Sequence, residues 1–422
     1  MKQKTIKATV LILLSLVFSL TSCSGDEPLT EVKPSKAGLV KIEIASLPAK
    51  TTYTLGETLS LDGLVVEGIY NDNSKAKLSV AEENIKGFSS EKSAEELTLT
   101  LEIEKFTATF AVKVLPVKVE KGILTYVERG ITTLVLPDHV KAIQQNVFRS
   151  SGITEITLNE GLNSIGEHAF AWSKIAKINF PSSLTTIEAA AFYGCEELTE
   201  LDLSRTALRK IAHETFALNS GVKIVKLPAS VNEIEYQAFL DATSLKEINL
   251  PEGLHKIGNE AFRESGLVNL KLPNSVCFID QRAFYLSRSL ERVETFGNVI
   301  PCEDKDIRRK MESSTFERCP DLNHFEIPAG VEIVGWNTVS GSTLLKSLVI
   351  PATVKEIEYS AFWNTTLKNI IIEGTVPPVA GTISGAWQAF PYDVESVKVP
   401  AGTAAVYKTA AGWNSYDDKI IE

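Results

Sequence analysis

The sequence predicts a mainly β protein with short helical turns, in which an N-terminal β-sandwich precedes a long repeat solenoid that ends in a cap. Three observations support this prediction. A motif of about 23 residues recurs through the last two-thirds of the 422-residue chain, period-two apolar alternation precedes it, and a different closing segment follows it. Repeats of fixed period bury their apolar faces against their neighbours, and several short alternating strands are typical of a sandwich. The predicted domains are the sandwich at 38–115, the repeats at 116–373, and a final repeat with the cap at 374–422.

The N-terminus predicts a secreted protein. Three lysines precede an apolar run, Ala8 to Leu20, that is too short to span a bilayer comfortably, so residues 1–22 are predicted to be a signal peptide. The run ends in Leu-Thr-Ser-Cys, which resembles a bacterial lipobox. This resemblance implies that Cys23 is lipidated, and acyl chains would anchor the protein by burying their methylenes in the membrane.

The residues after Cys23 bear on where the protein goes. Ser24-Gly25-Asp26-Glu27 resembles the small, acidic stretch that follows the lipidated Cys in surface-exported lipoproteins of some Gram-negative bacteria. This implies location at the cell surface, on the outer membrane, with membrane contact through the lipid anchor alone. The segment 23–37 is polar, contains two prolines and shows no apolar periodicity, so it is predicted to be a flexible tether.

The segment 38–115 is predicted to form short strands that are separated by turns. Apolar residues alternate on one side of two successive strands: Leu97, Leu99, Leu101 and Ile103, then Ala108, Phe110, Val112 and Val114. The string YTLGETLSLDGLVVEGIYNDNSK, Tyr53 to Lys75, resembles bacterial immunoglobulin-like domains of surface proteins. The simplest role for such a domain is to hold the solenoid away from the membrane, and a separate binding role stays open.

Each repeat carries an L-x-x-I-x-L triplet, a frequent Pro, an Ile, and a Phe five residues after that Ile. LKEINLPEGLHKIGNEAF, Leu245 to Phe262, is a clear copy. The Phe position is occupied by Phe148, Phe170, Phe192, Phe216, Phe239, Phe262, Phe284, Phe316, Val339 and Phe362. The triplet predicts a short parallel strand that the Pro ends, because Pro cannot donate to a ladder. The Ile and Phe are predicted to point inward, with the Phe rings in one stacked spine and the preceding Ala at a crowded site.

The Pro after the strand, the I-G-x-x-A-F turn, and a Cys three residues after Phe in two copies together resemble the BspA-type leucine-rich repeat family. The tail, Val394 to Ile420, resembles the closing segment of that family, and Trp413 is expected to lie over the last repeat. The resemblance implies a surface protein of host-associated microbes that attaches to host proteins or other cells, including extracellular-matrix proteins. It carries no ligand residues across, because the family shares no ligand motif.

Candidate partner-binding residues come from the most irregular repeat and from exposed aromatics. About eight extra residues lie between Thr295 and Met311, and insertions in solenoids go to loops on one face, often the binding face. A tolerated, solvated loop is the alternative. The candidates in this insertion and on the return turns are Asp304, Lys305, Arg308, Arg309, Lys310, Tyr285 and Trp363.

The cysteines suggest one cross-link. Cys195 and Cys319 occupy the same repeat position and are expected to be core thiols. Cys277 and Cys302 fall on adjacent repeats, whose strands should be about 4.8 Å apart, within the Cα range of a disulfide. The sequence therefore predicts a Cys277–Cys302 bond that pins the insertion, as an exported protein permits.

Composition and motifs leave little room for chemistry. The formal net charge is −10, which argues against nucleic acid or an anionic membrane surface as partners. The five histidines fall at differing repeat positions, and no metal-protease, nucleotide-binding or nucleophile-elbow motif is present. The sequence thus predicts a monomeric protein-binding adhesin without catalysis, cofactor or metal, for an unidentified host matrix or cell-surface protein. A glycan-binding accessory protein and a structural surface-layer component are the alternatives.

Overall fold

The computed structural model describes residues 38–297, 309–381 and 388–422. The predicted signal peptide, the tether and Cys23 lie outside these ranges. The regular secondary structure of the described residues is almost entirely β, with an N-terminal sandwich followed by a solenoid of stacked parallel strands, so the predicted fold class is confirmed.

The sandwich contains two sheets around a small apolar core. One sheet has the order β1-β3-β4 and is antiparallel; the other has the order β2-β7-β6-β5, in which β2 runs parallel to β7. A 3-10 turn at Glu82–Asn84 leads into β5. Residues that the alternation predicted to share a side, such as Leu99 and Val112, are fully or nearly fully buried in this core. The strands are β1 (Leu39–Ser46), β2 (Thr52–Thr54), β3 (Val65–Tyr70), β4 (Lys75–Leu78), β5 (Ile85–Lys86), β6 (Ala94–Ile103) and β7 (Phe106–Leu115).

The solenoid is joined to the sandwich through a β-hairpin formed by β8 (Val117–Glu120) and β9 (Ile123–Val127). The N–H of Leu55 donates to the carbonyl of Val117 at 2.8 Å, and the N–H and hydroxyl of Ser93 donate to the Glu128 carboxylate. Strand β9 then pairs in parallel with the first rung of the solenoid, so this hairpin covers the N-terminal end of one ladder.

Each rung of the solenoid contributes to two parallel ladders. The first is built from the strands of the apolar triplets and, at its C-terminal end, from a last strand of the cap, β33 (Ile420–Ile421). The triplet strands are β10 (Thr133–Val135), β12 (Glu155–Thr157), β14 (Lys177–Ile178), β16 (Glu200–Asp202), β18 (Ile224–Lys226), β20 (Glu247–Asn249), β22 (Asn269–Pro273), β24 (Arg292–Phe296), β26 (His324–Phe325), β28 (Ser347–Ile350), β30 (Asn369–Ile372) and β32 (Ser396–Lys398). We call the solvent side of this ladder the strand face.

The second ladder is built from short strands on the return segment, which the sequence did not predict: β11 (Ala142–Ile143), β13 (Ser164–Ile165), β15 (Thr186–Ile187), β17 (Lys210–Ile211), β19 (Glu233–Ile234), β21 (Lys256–Ile257), β23 (Phe278–Ile279), β25 (Lys310–Met311), β27 (Ile333–Val334), β29 (Glu356–Ile357) and β31 (Val379–Ala380). The repeated Ile lies at the end of most of these strands and is buried. Its backbone therefore pairs between rungs while its side chain fills the core.

The Phe spine is confirmed. Eight rings, Phe148 to Phe316, stack on one another with centroids 4.7–5.6 Å apart and interplanar angles of 17° or less. Val339 interrupts the stack, which resumes with Phe362 on Phe390, a ring that the repeat pattern did not identify. The preceding Ala residues are fully buried, as a site between stacked rungs requires.

The C-terminal cap closes the solenoid with one helix, α1 (Ala404–Thr409), and a 3-10 turn at Asn414–Tyr416. Trp413 is fully buried, its ring lies 5.3 Å from that of Phe390, and its Nε1 donates to the Pro378 carbonyl at 2.8 Å. The expectation that Trp413 covers the last rung is thus confirmed, and its polar N–H is satisfied at the same time.

Candidate partner-binding surface

The strand face holds a column of solvent-facing residues, one for each rung, that a partner could in principle contact. The first ladder is broken into four separate sheets, β10-β12-β14, β16-β18-β20, β22-β24-β26 and β28-β30-β32-β33. At each of the three breaks, the column residue of the last strand reaches back to the previous rung and bonds to its backbone.

Two of these residues are asparagines. Asn179 accepts the Leu158 N–H at 2.7 Å and donates to the Leu158 carbonyl at 3.0 Å; Asn249 makes the same pair with Leu227 at 2.7 and 3.1 Å. At the third break, the Glu326 carboxylate accepts the N–H of Thr295 at 2.7 Å and its hydroxyl at 3.0 Å. These side chains replace a backbone hydrogen bond between the last two strands of each sheet, just before the ladder breaks, so they are part of the scaffold.

The other notable members of the column are an ion-paired lysine and a few exposed apolar residues. The Lys226 ammonium lies between Glu200 at 3.0 Å and Asp202 at 3.3 Å. Val135, at the N-terminal end, and the neighbouring pair Val349 and Ile371 remain as exposed apolar side chains. The strand face therefore offers a partner small, separated apolar sites, and four of its polar side chains are already bonded within the protein.

The opposite surface, which we call the turn face, consists of the outward residues between the buried Ile and the second residue after the Phe in each rung. In all ten rungs, the residue two positions before the Phe position and the residue two positions after it have left-handed backbones, with φ between 51° and 87°. Of these left-handed residues only Gly194 and Gly341 are glycines. The others hold side chains in a backbone conformation that L-residues adopt at a free-energy cost.

Aromatic side chains from neighbouring rungs meet on the turn face. Trp172 and Tyr193 pack edge to face with centroids 5.2 Å apart, and the Trp172 ring also covers Gly194. Further along, the rings of Trp336 and Tyr359 stack at 5.4 Å, and those of Trp363 and Tyr392 meet edge to face at 5.3 Å. Trp172 is 46% exposed, Trp336 39% and Tyr392 63%.

Tyr285 lies at the centre of an arginine cluster. The guanidinium carbons of Arg263, Arg282 and Arg318, from three successive rungs, lie 5.9, 5.6 and 5.9 Å from its ring centroid, within cation–π range. Arg263 is paired with Glu260 at 3.4 Å and with Glu264 at 3.2 Å. Its Nε is buried and has no hydrogen-bond partner among the described residues. The cluster combines the residue types that dominate protein interfaces, Tyr and Arg.

The other predicted contact residues are placed as follows. Trp363 lies on the turn face, half-buried against Tyr392. Arg309 is half-buried and lies 3.4 Å from Glu332. Asp304, Lys305, Arg308 and Cys302 lie outside the described residues, so their proposed roles stay predictions.

Lys310 requires a correction, because it is not on the surface of the insertion. It begins β25, its side chain is 9% exposed, and its ammonium lies 3.0 Å from Glu312 and 2.8 Å from Glu358. Burial lowers the pKa of Lys310, but the hydrogen bonds from these two carboxylates outweigh it and leave the pKa raised. A charged, paired lysine inside the wall is a structural element and is not available to a partner.

The cysteines divide into two kinds. Cys195 and Cys319 are free and buried, as expected for core thiols, and burial raises the pKa of both to about 12, which makes them unreactive. Cys277 is buried and disulfide-bonded. Its proposed pairing with Cys302 stays a prediction.

No arrangement for metal chemistry occurs in the part of the chain that the structure describes. No three His, Cys, Asp or Glu side chains there converge as metal ligands, and the five histidines are spread along the solenoid. Over the same residues, no helix is long and apolar enough to cross a bilayer.

A solenoid with these two faces and an immunoglobulin-like sandwich defines a modular repeat protein of the leucine-rich class. Residues 124–241, 209–305 and 308–380 match the model of the BspA type leucine rich repeat region in six copies, and residues 46–114 match the bacterial Ig-like domain of group 3. The chain therefore belongs to the BspA-type leucine-rich repeat family, as its sequence motifs indicated.

Similar proteins include solved structures and one curated sequence. A leucine-rich repeat protein from Bacteroides ovatus is 18% identical with a TM-score of 0.43, over 76% of this chain and 90% of that one. The pneumococcal vaccine antigen PcpA is 18% identical with a TM-score of 0.40, over 78% and 85%. Pectate lyase L of Thermoclostridium stercorarium is 43% identical over 60 residues, which are 14% of this chain and 5% of that protein.

Proposed function

We propose that this chain is a cell-surface lipoprotein of the outer membrane that acts as a protein-binding adhesin, without catalysis, through the turn face of its solenoid. The exported, lipid-anchored state rests on the apolar N-terminus and the lipobox at Cys23. Binding to a protein rests on family membership and on one observation above all. Trp, Tyr and Arg side chains cluster on the turn face, whereas several strand-face polar side chains, among them Asn249 and Lys226, are bonded within the protein.

The partner is proposed to be a host matrix or cell-surface protein, bound by a monomer of this chain. Hot spots in protein interfaces are enriched in Trp, Tyr and Arg, and they lie in packed clusters surrounded by weaker contacts. The cluster around Tyr285 fits that description. The rings of Trp336 and Tyr359 stack on each other, so each covers one face of the other and leaves fewer free ring faces for a sugar.

Binding can be tested with the purified chain from Ser24 onward on parallel arrays of matrix proteins, serum proteins and polysaccharides. Once a protein ligand is found, Tyr285→Ala should weaken its binding at least about tenfold, because truncation of a central aromatic removes a hot spot. Trp336→Ala and Trp363→Ala report on the neighbouring pairs. Val135→Ser is the matched control, since Val135 is 70% exposed on the strand face.

The outcomes separate the readings. A protein ligand that is lost with Tyr285→Ala and kept with Val135→Ser supports the proposal. A polysaccharide ligand would favour a glycan-binding accessory protein, and no ligand on either array would favour a structural surface component. The anchor is tested separately: Cys23→Ala should release the protein from the membrane fraction, and protease treatment of intact cells should digest the wild type at the surface.

A further inference from the structure

The N-terminal end of the solenoid lacks one turn. Leu124 pairs with Ile143, and the Thr132 carbonyl accepts the Thr154 N–H just as the Thr154 carbonyl accepts the Ala176 N–H, so these residues hold equivalent positions. From Ile143 to Thr154, in the first full rung, the chain advances eleven residues, whereas from Leu124 to Thr132, in the segment before it, the chain advances only eight. The missing residues are those that form the Phe-centred turn, so the first turn of the solenoid has no turn stacked before it.

The omission leaves three backbone acceptors open. In regular rungs, alternate N–H groups of each turn donate to carbonyls of the next, as His168 does to Ala189 at 3.1 Å and Phe170 to Ala191 at 2.7 Å. The equivalent acceptors on the first turn are the carbonyls of Gln145, Val147 and Arg149. No described residue donates a hydrogen bond to any of them.

These carbonyls line a cleft of 640 Å³ between the segments 125–131 and 144–152. Its apolar wall is already sealed, because Val127, Ile131 and Val147 are half-buried and pack against the solenoid core. Tyr126 remains 50% exposed on the rim. The cleft therefore has unused hydrogen-bonding capacity and an aromatic side chain rather than an open core.

The charge of the cleft suggests what would fill it. Arg129 and Arg149 line it, and no carboxylate of the described residues lies within 4.0 Å of either guanidinium. Glu128 also lines the cleft, and its carboxylate accepts hydrogen bonds from Ser93. The cleft therefore carries two arginines against one carboxylate, in a chain whose net charge is −10.

We propose that this cleft binds an acidic segment of a partner polypeptide, which supplies the missing turn. The segment would donate three alternate backbone N–H groups to the carbonyls of Gln145, Val147 and Arg149 and direct a carboxylate toward Arg129 or Arg149. Backbone bonds to an open ladder edge give affinity, and side chains along the segment give specificity, as in other strand-addition complexes. The site is separate from the turn-face aromatics, so either can fail without the other.

A synthetic probe follows from the repeat itself. The decapeptide SIGEGAFAGS copies Ser164 to Ser173 with Gly at the two left-handed positions, which favours the turn conformation. Labelled with a fluorophore, it should bind saturably to the chain from Ser24 onward in an anisotropy titration. An amide-to-ester replacement at its Phe removes one N–H donor and should weaken binding about fivefold. The same replacement at its last Ser is the control.

Protein variants locate the site. Tyr126→Ala should weaken probe binding about tenfold, whereas Tyr392→Ala, a 63% exposed tyrosine at the other end, should leave it unchanged. Lengthening the loop by three residues after Glu128 should rebuild the missing turn and abolish binding, with an unchanged circular dichroism spectrum showing that the solenoid still folds.

The proposal is overturned if the probe does not saturate, or if Tyr126→Ala and the lengthened loop bind it like the wild type. It is also overturned if probe binding is unchanged both when the Glu of the probe is replaced by Gln and when the salt concentration is raised. The guanidinium groups of Arg129 and Arg149 would then take no part in binding. Sedimentation velocity decides the remaining outcome: a dimer that the lengthened loop abolishes would make a second copy of this chain the occupant.

Discussion

The two faces of the solenoid repeat with the same period, yet they differ in what their exposed side chains are bonded to. On the strand face, Asn179, Asn249 and Glu326 hold the last two strands of their sheets together just before each break, so their polar atoms serve the scaffold. On the turn face, most hydrogen bonds between rungs join backbone groups directly, although the Glu235 and Glu358 carboxylates accept the N–H groups of His213 and Trp336. Aromatic and arginine side chains pack on one another at this surface. Exposure within a repeat is therefore a poor guide to whether a residue is available to a partner.

The largest effect should come from Asn249→Ala on the strand face. This change removes both side-chain hydrogen bonds to the buried Leu227 backbone and leaves an N–H and a carbonyl unsatisfied, so we expect about 2 kcal/mol of destabilisation. Urea unfolding followed by circular dichroism measures it. Lys271→Ala, an exposed member of the same column in the next rung, is the control. Equal midpoints for the two variants would show that the Asn is not part of the scaffold.

A smaller change in stability, this time a gain, is expected from a glycine substitution on the turn face. Glu214 has φ of 53° and no ion pair among the described residues. Glu214→Gly should be more stable than Glu214→Ala by about 1 kcal/mol, because both lose the carboxylate but only Gly adopts the left-handed backbone freely. The difference in thermal midpoint between the two variants isolates the backbone term. If Ala were equal to or better than Gly, the turn face would carry no such strain.

The smallest effect concerns pH. Burial raises the pKa of Glu326, but hydrogen bonds from Thr295 and the nearby His324 outweigh it and hold the pKa below its ordinary value of 4.5. A lowered folded pKa contributes stability that is present above 4.5 and is lost as the pH falls through the lowered value. Glu326→Gln keeps an acceptor but does not titrate, so it should lose less stability than the wild type between pH 5 and 3.

Glu373→Gln, which removes an exposed carboxylate, controls for the general effect of acid on the chain. If the stability of the wild type and of Glu326→Gln fell equally with acid, as expected for Glu373→Gln, the Glu326 carboxylate would not hold the last two strands of its sheet together.

Much of the fold followed from the spacing of residue types. The Phe spine, the buried Ile, the small residue before each Phe and the covering Trp413 were all predictable, because a fixed period leaves each apolar residue one partner, its equivalent in the next rung. The candidate site was less predictable. Tyr285 and Trp363 stood out as aromatics outside the core pattern, but the three arginines around Tyr285 come from different rungs and carry no common spacing.

The sequence by itself determined the class of fold, the register of the repeat and the identity of the core, since these depend on periodicity along the chain. The tertiary structure alone decided which surface residues are engaged. Lys310 looked like part of a charged insertion but is buried between Glu312 and Glu358, and the open carbonyls of the first turn follow from three residues that are missing. The burial of Lys310 and the open carbonyls both depend on which groups from different rungs meet in space. Those contacts are set by how the rungs stack, and a local sequence pattern does not contain that information.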